Sequence, residues 1–175
     1  YGHFLPLGKG GTLSLFGLPG TRLPAWFKQC DWGVTLRYAT ARLFSGNHGI
    51  GLTQKDMGSF SILVSAPERA IMEFLYLVPN EESFEEGGLL MEGLATLRPD
   101  LLRRLLEQCR SVKVKRMFMY LADKSNHSWL DKLDTAGISL GQGKRVIVKG
   151  GHLDTKYNIT VPGSAAKRQE PVEGA

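Results

Sequence analysis

The sequence predicts an α+β fold in which a small β-sheet, built from the N-terminal third and a C-terminal hairpin, packs with a central group of four to five helices. Short runs of alternating apolar residues, bounded by glycines, occupy the first 65 residues and return after residue 143. Between them, apolar residues recur at helical spacing. The chain has 175 residues, of which 42% are hydrophobic and 22% charged, which is ordinary for one globular domain that needs no disulfide or metal.

The N-terminal third is predicted to supply the first strands and one short helix. Alternating or glycine-bounded runs favour strands over residues 12–16, 34–38, 51–53 and 58–64. In the last of these, Phe60, Ile62 and Val64 would share one face. Residues 23–29 favour a short helix with Thr21 as a possible cap.

Two helices of the middle region are predicted from their N-terminal signals. Ser65 and Glu68 have the spacing of a capping box, so Ser65 should cap a helix over residues 66–78. Ser83 and Glu86 repeat this spacing at the start of a second helix. Two adjacent glycines, at positions 87 and 88, should weaken that second helix, since glycine is a poor helix former.

The second half of the chain is predicted to add helices and then a hairpin. Pro99 opens a third helix, and residues 128–133 favour another short one. Residues 111–122 fit either a strand or a helix, and the length of the run without Gly or Pro favours a helix. Residues 144–149 and 156–161 should pair as the hairpin. We expect one domain over residues 1–162 and a flexible tail over 163–175.

The cysteines and the hydropathy favour a cytoplasmic protein. Cys30 and Cys109 are far apart and form no Cys-x-x-Cys motif, so we expect two reduced, buried thiols. No apolar run approaches the roughly 18 residues of a membrane span, and no signal peptide is visible. We therefore expect no membrane contact.

The sequence contains no recognisable catalytic, metal or cofactor motif. Gly8–Thr12 has the residue types of a phosphate-binding loop in the wrong order, and the nucleophile-elbow motif is absent. The four histidines lack the spacing of metal ligands. We therefore expect no enzyme activity, no catalytic residue, no bound metal and no cofactor.

The net charge of +5 conceals a strong segregation along the chain. Residues 1–65 carry +4, residues 66–97 carry −6 and residues 98–175 carry +7. Arg110, Lys113 and Arg116 recur every three residues and would form one ridge on a helix. Basic residues on a ridge beside a ribbon favour contacts with a nucleic-acid backbone, although a solvated face neutralised by the acidic helices explains the charge equally well. The candidate nucleic-acid-binding residues are Arg103, Arg104, Arg110, Lys113, Lys115, Arg116, Lys144, Arg145, Lys149 and Lys156.

Several long blocks of the sequence resemble the AbiEi family of antitoxins from type IV toxin–antitoxin systems. The resemblance covers nearly all of residues 3–162 and is carried by structural strings rather than by a catalytic motif. The blocks that carry it are Leu5–Gly8, Leu23–Phe27, Ser65–Pro79, Ser83–Glu86, Leu90–Pro99, Cys109–Arg116, Gly143–Gly151 and Lys156–Pro162.

The resemblance implies a regulatory role. Such antitoxins repress their own operon and counteract a toxin with a nucleotidyltransferase fold, without a tight complex, and several of these systems act in phage defence by abortive infection. The family implies a winged-helix domain that would precede Tyr1, and a basic C-terminal face that supports operator DNA binding. It implies no individual functional residue.

Two other functions remain open from the sequence. The acidic helices over residues 66–97 could dock on a basic partner, which would make the chain a protein-interaction module. A metal-dependent nuclease is a further alternative, although no acidic pair matches a nuclease pattern.

Overall fold

A computed structural model of the chain describes residues 11–46 and 48–163. The α+β prediction is confirmed, but the strands of the described residues form three small sheets rather than one. The helices are α1 (Ala25–Gln29), α2 (Pro67–Leu77), α3 (Phe84–Glu92), α4 (Pro99–Gln108) and α5 (Val112–Ser125), with a 3₁₀ turn at Leu130–Lys132. The strands are β1 (Thr12–Gly17), β2 (Thr35–Thr40), β3 (Leu52–Asp56), β4 (Ser61–Ser65), β5 (Arg145–Val146), β6 (His152–Asp154) and β7 (Ile159–Val161).

The first sheet is a parallel pair, β1 with β2, which pairs Thr12 with Thr35 at one end and Gly17 with Thr40 at the other. Parallel neighbours need a crossover connection, and here it contains α1. The predicted Thr21 cap is wrong, because α1 is preceded by Pro24 and has no side-chain cap. The Thr21 hydroxyl instead donates to the Leu18 carbonyl at 2.6 Å.

The second sheet is the antiparallel hairpin of β3 and β4. Its turn is closed by a hydrogen bond from the Met57 N–H to the Phe60 carbonyl at 2.8 Å. Gly58 has a φ of +91°, a conformation that glycine adopts without strain. The strand predicted from residue 58 therefore begins only at Ser61, because the preceding residues form the turn.

The core lies among α2, α3, α4 and α5, as the apolar periodicity predicted. Its fully buried side chains include Met72, Leu75, Met91, Leu105 and Phe118. Residues 111–122 are helical, as the length of the run favoured, and Ser111 caps α5 through a bond from the Val114 N–H to its hydroxyl. C-terminal to α5, Trp129 extends the same core.

One of the two predicted capping boxes is wrong. Ser83 does cap α3, accepting a hydrogen bond from the Glu86 N–H at 3.0 Å. Ser65 does not cap α2, because its hydroxyl donates to the buried Glu73 carboxylate at 2.7 Å. The Glu68 carboxylate, the other member of that predicted box, accepts bonds from Arg98.

The third sheet replaces the predicted hairpin between residues 144–149 and 156–161. Its strand order is β5-β7-β6, so β5 runs parallel to β7, and only β6 and β7 form a hairpin. The chain turns tightly before β6, where Gly151 approaches the Val161 carbonyl too closely to leave room for a Cβ. A second turn follows β6, with Asn158 at a φ of 53°.

The environments of the two cysteines differ. Cys109 is buried, as predicted, and burial raises the pKa of its thiol to about 11. Cys30 is exposed, which contradicts the prediction, because it follows α1, a helix without buried residues. None of the described helices is long and apolar enough to cross a membrane. Apart from residue 163, the predicted tail lies outside the described residues.

Candidate nucleic-acid interface

The predicted basic ridge on α5 does not form. Arg110 precedes the helix, which begins at Val112. Lys115 is buried, and Arg116 is only 2% exposed. Helical spacing places side chains on one face, but it does not decide whether that face is in water or in the core.

Arg116 binds backbone carbonyls instead of facing solvent. Its guanidinium donates to four of them, which ties α5 to the loop over residues 140–143 and to the turn before β7. The acceptors are the carbonyl oxygens of Leu140 (2.7 Å), Gly141 (3.0 Å), Gly143 (2.5 Å) and Asn158 (3.0 Å). Burial lowers the pKa of Arg116, and the nearby Arg145 charge adds to this effect. Arg116 is therefore not placed to contact a phosphate.

Lys113 also binds main-chain acceptors. Its Nζ donates to the Tyr76 carbonyl at 2.8 Å and to the Val78 carbonyl, at the C-terminal end of α2. A positive charge at this end of a helix is favourable for the helix dipole. Burial lowers the pKa of Lys113.

Two further candidates form ion pairs. Arg103 bonds Glu107 at 2.8 Å, one turn along α4, and Lys156 bonds Asp123 at 2.5 Å. The bond to Asp123 raises the pKa of Lys156. Both pairs are partly exposed, so a phosphate would have to compete with the carboxylate for each cation.

The remaining five candidates are exposed and have no carboxylate partner among the described residues. They are Arg104, Arg110, Lys144, Arg145 and Lys149. Their positive charge is not neutralised by an ion pair, so it is available to a ligand.

Three of these five lie on segments that adjoin the first turns of α5. The loop that leads to Lys144 and Arg145 packs on the first turns of α5, where Gly141 lies against the Val112 side chain and Gly143 accepts from Arg116. Arg110 directly precedes the same turns. We call Arg110, Lys144 and Arg145 the α5 basic cluster. The sequence suggested each residue separately, but it did not indicate that the loop before Lys144 packs on α5.

Most of the acidic middle region is involved in internal pairing. Glu68 and Glu73 are buried and paired with Arg98 and Arg69 at 2.9 and 2.7 Å. Glu82 pairs with Arg37 on β2. The acidic charge that remains exposed on α3 belongs to Glu85 and Glu92, which flank an exposed Leu89.

No group of three or more histidine, cysteine or acidic residues within the described ranges could hold a metal ion. His127 instead lies 2.8 Å from the Met91 carbonyl and stacks on Trp129. A cleft of about 340 Å³ lies between the end of β1, the base of the β3–β4 hairpin and α2. It is lined by apolar residues together with Arg42, His48, Arg69 and Glu73, and no sequence motif indicated it.

Comparison with known proteins adds one finding. A family model described as transcriptional regulator, AbiEi antitoxin, type IV toxin–antitoxin system matches residues 11–162. The match spans all five helices, the three sheets and the α5 basic cluster. No curated protein and no solved structure matches the chain significantly.

Proposed function

Because the chain belongs to the AbiEi family of type IV antitoxins and transcriptional regulators, we propose that it opposes a nucleotidyltransferase-type toxin and supports repression of its own operon. In this proposal, an upstream winged helix reads the operator sequence. The present chain adds contacts to the DNA backbone. The observation that supports the DNA contact is the α5 basic cluster, three exposed cations without a carboxylate partner in the described structure.

Backbone binding by such a cluster has a measurable signature. Each phosphate neutralised by a basic residue releases condensed counterions, so log K falls against log salt with a slope of about −0.9 per contact. The cluster therefore contributes up to about −2.7 to the total slope, if all three residues bind phosphates. It should not change the preference for one operator sequence over another, because phosphate contacts carry no direct sequence information.

The test is a salt titration of operator binding by fluorescence anisotropy, with the full-length protein, between about 50 and 300 mM salt. Replacing Arg110, Lys144 and Arg145 by Gln should weaken binding and flatten the slope. A matched control replaces Arg22, Lys28 and Lys55, three exposed basic residues of the N-terminal third, by Gln. Equal losses in both variants would indicate a non-specific charge effect and contradict the proposal. Absence of binding at low salt would do the same.

The antitoxin role needs a separate test, since it does not follow from DNA binding. Coexpression of the chain with the nucleotidyltransferase encoded beside it should restore growth. The variant with the cluster replaced by Gln should still restore growth if the antitoxin acts apart from the operator. Failure of the unaltered full-length protein to restore growth would contradict the antitoxin role.

A second candidate function is docking of a basic protein on α3. Leu89 is 69% exposed, and Glu85 and Glu92 lie one helical turn on either side of it. This mixed apolar and acidic face fits a basic partner such as the toxin itself. Reversal of Glu85 and Glu92 to Lys should abolish copurification with the toxin, whereas reversal of the exposed Asp131 and Asp134 should not.

A further inference from the structure

The β3–β4 hairpin carries exposed apolar side chains that the proposed function does not use. Phe60 is 60% exposed, Ile62 42% and Leu63 66%, and Met57 in the turn is also exposed. Large apolar side chains grouped on one element at the surface usually mark a contact with another molecule.

The outer edge of β4 is open to a further strand. Within the described ranges, the sheet contains only β3 and β4. Bonds from the Met57 N–H to the Phe60 carbonyl and from the Ala66 N–H to the Gly51 carbonyl fix which pairs are hydrogen-bonded. Since such pairs alternate along an antiparallel ladder, Ser61 and Leu63 direct their N–H and C=O groups away from β3.

The charges on the two edges of the hairpin differ. The β3 edge carries Lys55 and Asp56, and charged side chains protect an edge strand against unwanted pairing. Residues 57–65 carry no charged side chain and no proline. An open, exposed edge without these protective features is a template for strand pairing.

The absence of charge also indicates which partner fits. In a two-fold pairing each residue lies near the same residues of the other copy, so a charged strand would bring like charges together. Because β4 carries no charged side chain, its pairing with a second β4 brings no like charges together. Antiparallel pairing centred on Ile62 would place Ser61 opposite Leu63 and Phe60 opposite Val64, and aromatic with β-branched pairs are favourable.

We propose that β4 is a dimerisation edge, which pairs antiparallel with β4 of a second copy about a two-fold axis at Ile62. The product is a four-stranded sheet in the order β3-β4-β4-β3. Ser61 and Leu63 of each copy exchange main-chain hydrogen bonds with Leu63 and Ser61 of the other. This register uses only residues 60–64 and leaves the buried Ser65 undisturbed.

The dimer should be weak. If each of the four residues had the roughly 200 Å² of an aromatic side chain, their exposed parts would amount to at most about 400 Å² per copy. The total, roughly 800 Å², lies below the 1,200 Å² or more that stable interfaces bury. We therefore expect a dissociation constant in the micromolar range, on the order of 10 to 100 µM.

The first test is sedimentation velocity on the full chain without DNA, over about 5 to 500 µM. The unaltered protein should shift from monomer to dimer, and Ile62→Lys should stay monomeric because it places two ammonium groups at the two-fold axis. Thr53→Lys, the same kind of change at an exposed position of β3, should leave the dimer intact. A monomer at every concentration would overturn the proposal, as would equal losses in both variants.

The second test decides the matter if Ile62→Lys unfolds the hairpin. In a Cys30→Ser background, Ile62→Cys should form a disulfide-linked dimer under mild oxidation. Residues that face each other in a non-hydrogen-bonded pair have Cβ atoms about 4.5–5.5 Å apart, close to disulfide geometry. Thr53→Cys in the same background should stay monomeric. Equal cross-linking of the two variants, or none of the Ile62→Cys variant, would count against the β4 edge. Neither test depends on toxin or operator binding.

Discussion

At the scale of single residues, Arg116 connects the helical core to the C-terminal sheet. Its guanidinium supplies donors to four main-chain carbonyls, on the 140–143 loop and before β7. We expect Arg116→Met, which keeps an unbranched apolar stem but removes every donor, to lower the free energy of unfolding by about 3 to 5 kcal/mol. Urea unfolding measures this loss. The control is Arg104→Met at an exposed position, which should change the free energy of unfolding by less than about 0.5 kcal/mol. A loss below about 1 kcal/mol at Arg116 would contradict its structural role.

Glu68 couples stability to acid. Its buried carboxylate accepts from the main chain and side chain of Arg98. Burial acts to raise the pKa of Glu68, but the bonds from Arg98 outweigh it and the pKa lies below 4.5. The carboxylate therefore contributes stability that is fully present above pH 4.5, its unfolded value, and is lost as the pH falls through the lower folded pKa.

We expect Glu68→Gln to remove this part of the acid dependence. Urea midpoints measured between about pH 3 and pH 7 should converge for the variant and the unaltered protein at the acid end. The control is Glu107→Gln, which removes a partly exposed ion pair with Arg103. It should lower the free energy of unfolding by less than about 1 kcal/mol. Parallel curves for Glu68→Gln and the unaltered protein would show that Arg98 does not depress this pKa.

The sequence showed which side chains are charged, but it did not show which of these charged side chains are buried. The sequence correctly predicted that Cys109 is buried, because the leucines of α4 precede it at helical spacing. It could not show that Arg116 would be buried, because the main-chain carbonyls that accept its hydrogen bonds are distant in the sequence and do not alter the local pattern of apolar residues. The acceptors lie 24 to 42 residues away in the chain.

At the scale of elements, the two adjacent glycines of α3 have different environments. A Cβ at Gly87 would lie 3.1 Å from Leu75, a side chain in the core, whereas one at Gly88 would meet only Leu121 at 4.0 Å. We expect Gly88→Ala to raise the free energy of unfolding by about 0.5–1 kcal/mol, because alanine favours the helix. Gly87→Ala should give no gain or a loss. Thermal unfolding compares the two, and equal gains would show that α3 does not need the small residue against α2.

Helices were predicted more accurately than strand pairing. Each helix is a local pattern, so the periodicity and prolines located α2, α4 and α5 to within a few residues. Pairing partners depend on contacts between distant segments, and the sequence did not indicate that β1 pairs parallel with β2 or that β5 reaches β7. The failed Ser65 cap has a similar cause, because Glu73 competes for the hydroxyl from within the folded core.

At the scale of the whole molecule, stability should be uneven. The interior of α2 and α5 is deeply buried. In contrast, α1 has no buried residue, and the turn of the β3–β4 hairpin is exposed. We expect amide hydrogens of α2 and α5 to exchange last and those of α1 first, because local opening is easiest where few apolar contacts are broken. Hydrogen exchange followed by mass spectrometry tests this. Exchange of α1 as slow as that of α5 would contradict it.

The overall architecture followed from the sequence, but the candidate interface did not. A change from period two to period 3.6 and back predicts α+β, and the helical core confirms it. The charge segregation indicated a basic second half. In the structure, however, some of its basic residues are buried, some form ion pairs and some are exposed and unpaired. Only tertiary contacts, such as Gly141 on Val112, identify the α5 basic cluster.

The placement of the three tryptophans makes the protein its own optical reporter. Trp26 and Trp32 are exposed around α1, whereas Trp129 is buried, with its indole N–H bonded to the Leu94 carbonyl at 2.8 Å. Acrylamide should therefore quench two indoles readily and one slowly. The quencher-resistant fluorescence then follows the helical core alone. The fluorescence that acrylamide does quench reports on changes around α1. One fluorescence experiment therefore distinguishes unfolding of the core from changes at the N-terminal sheet.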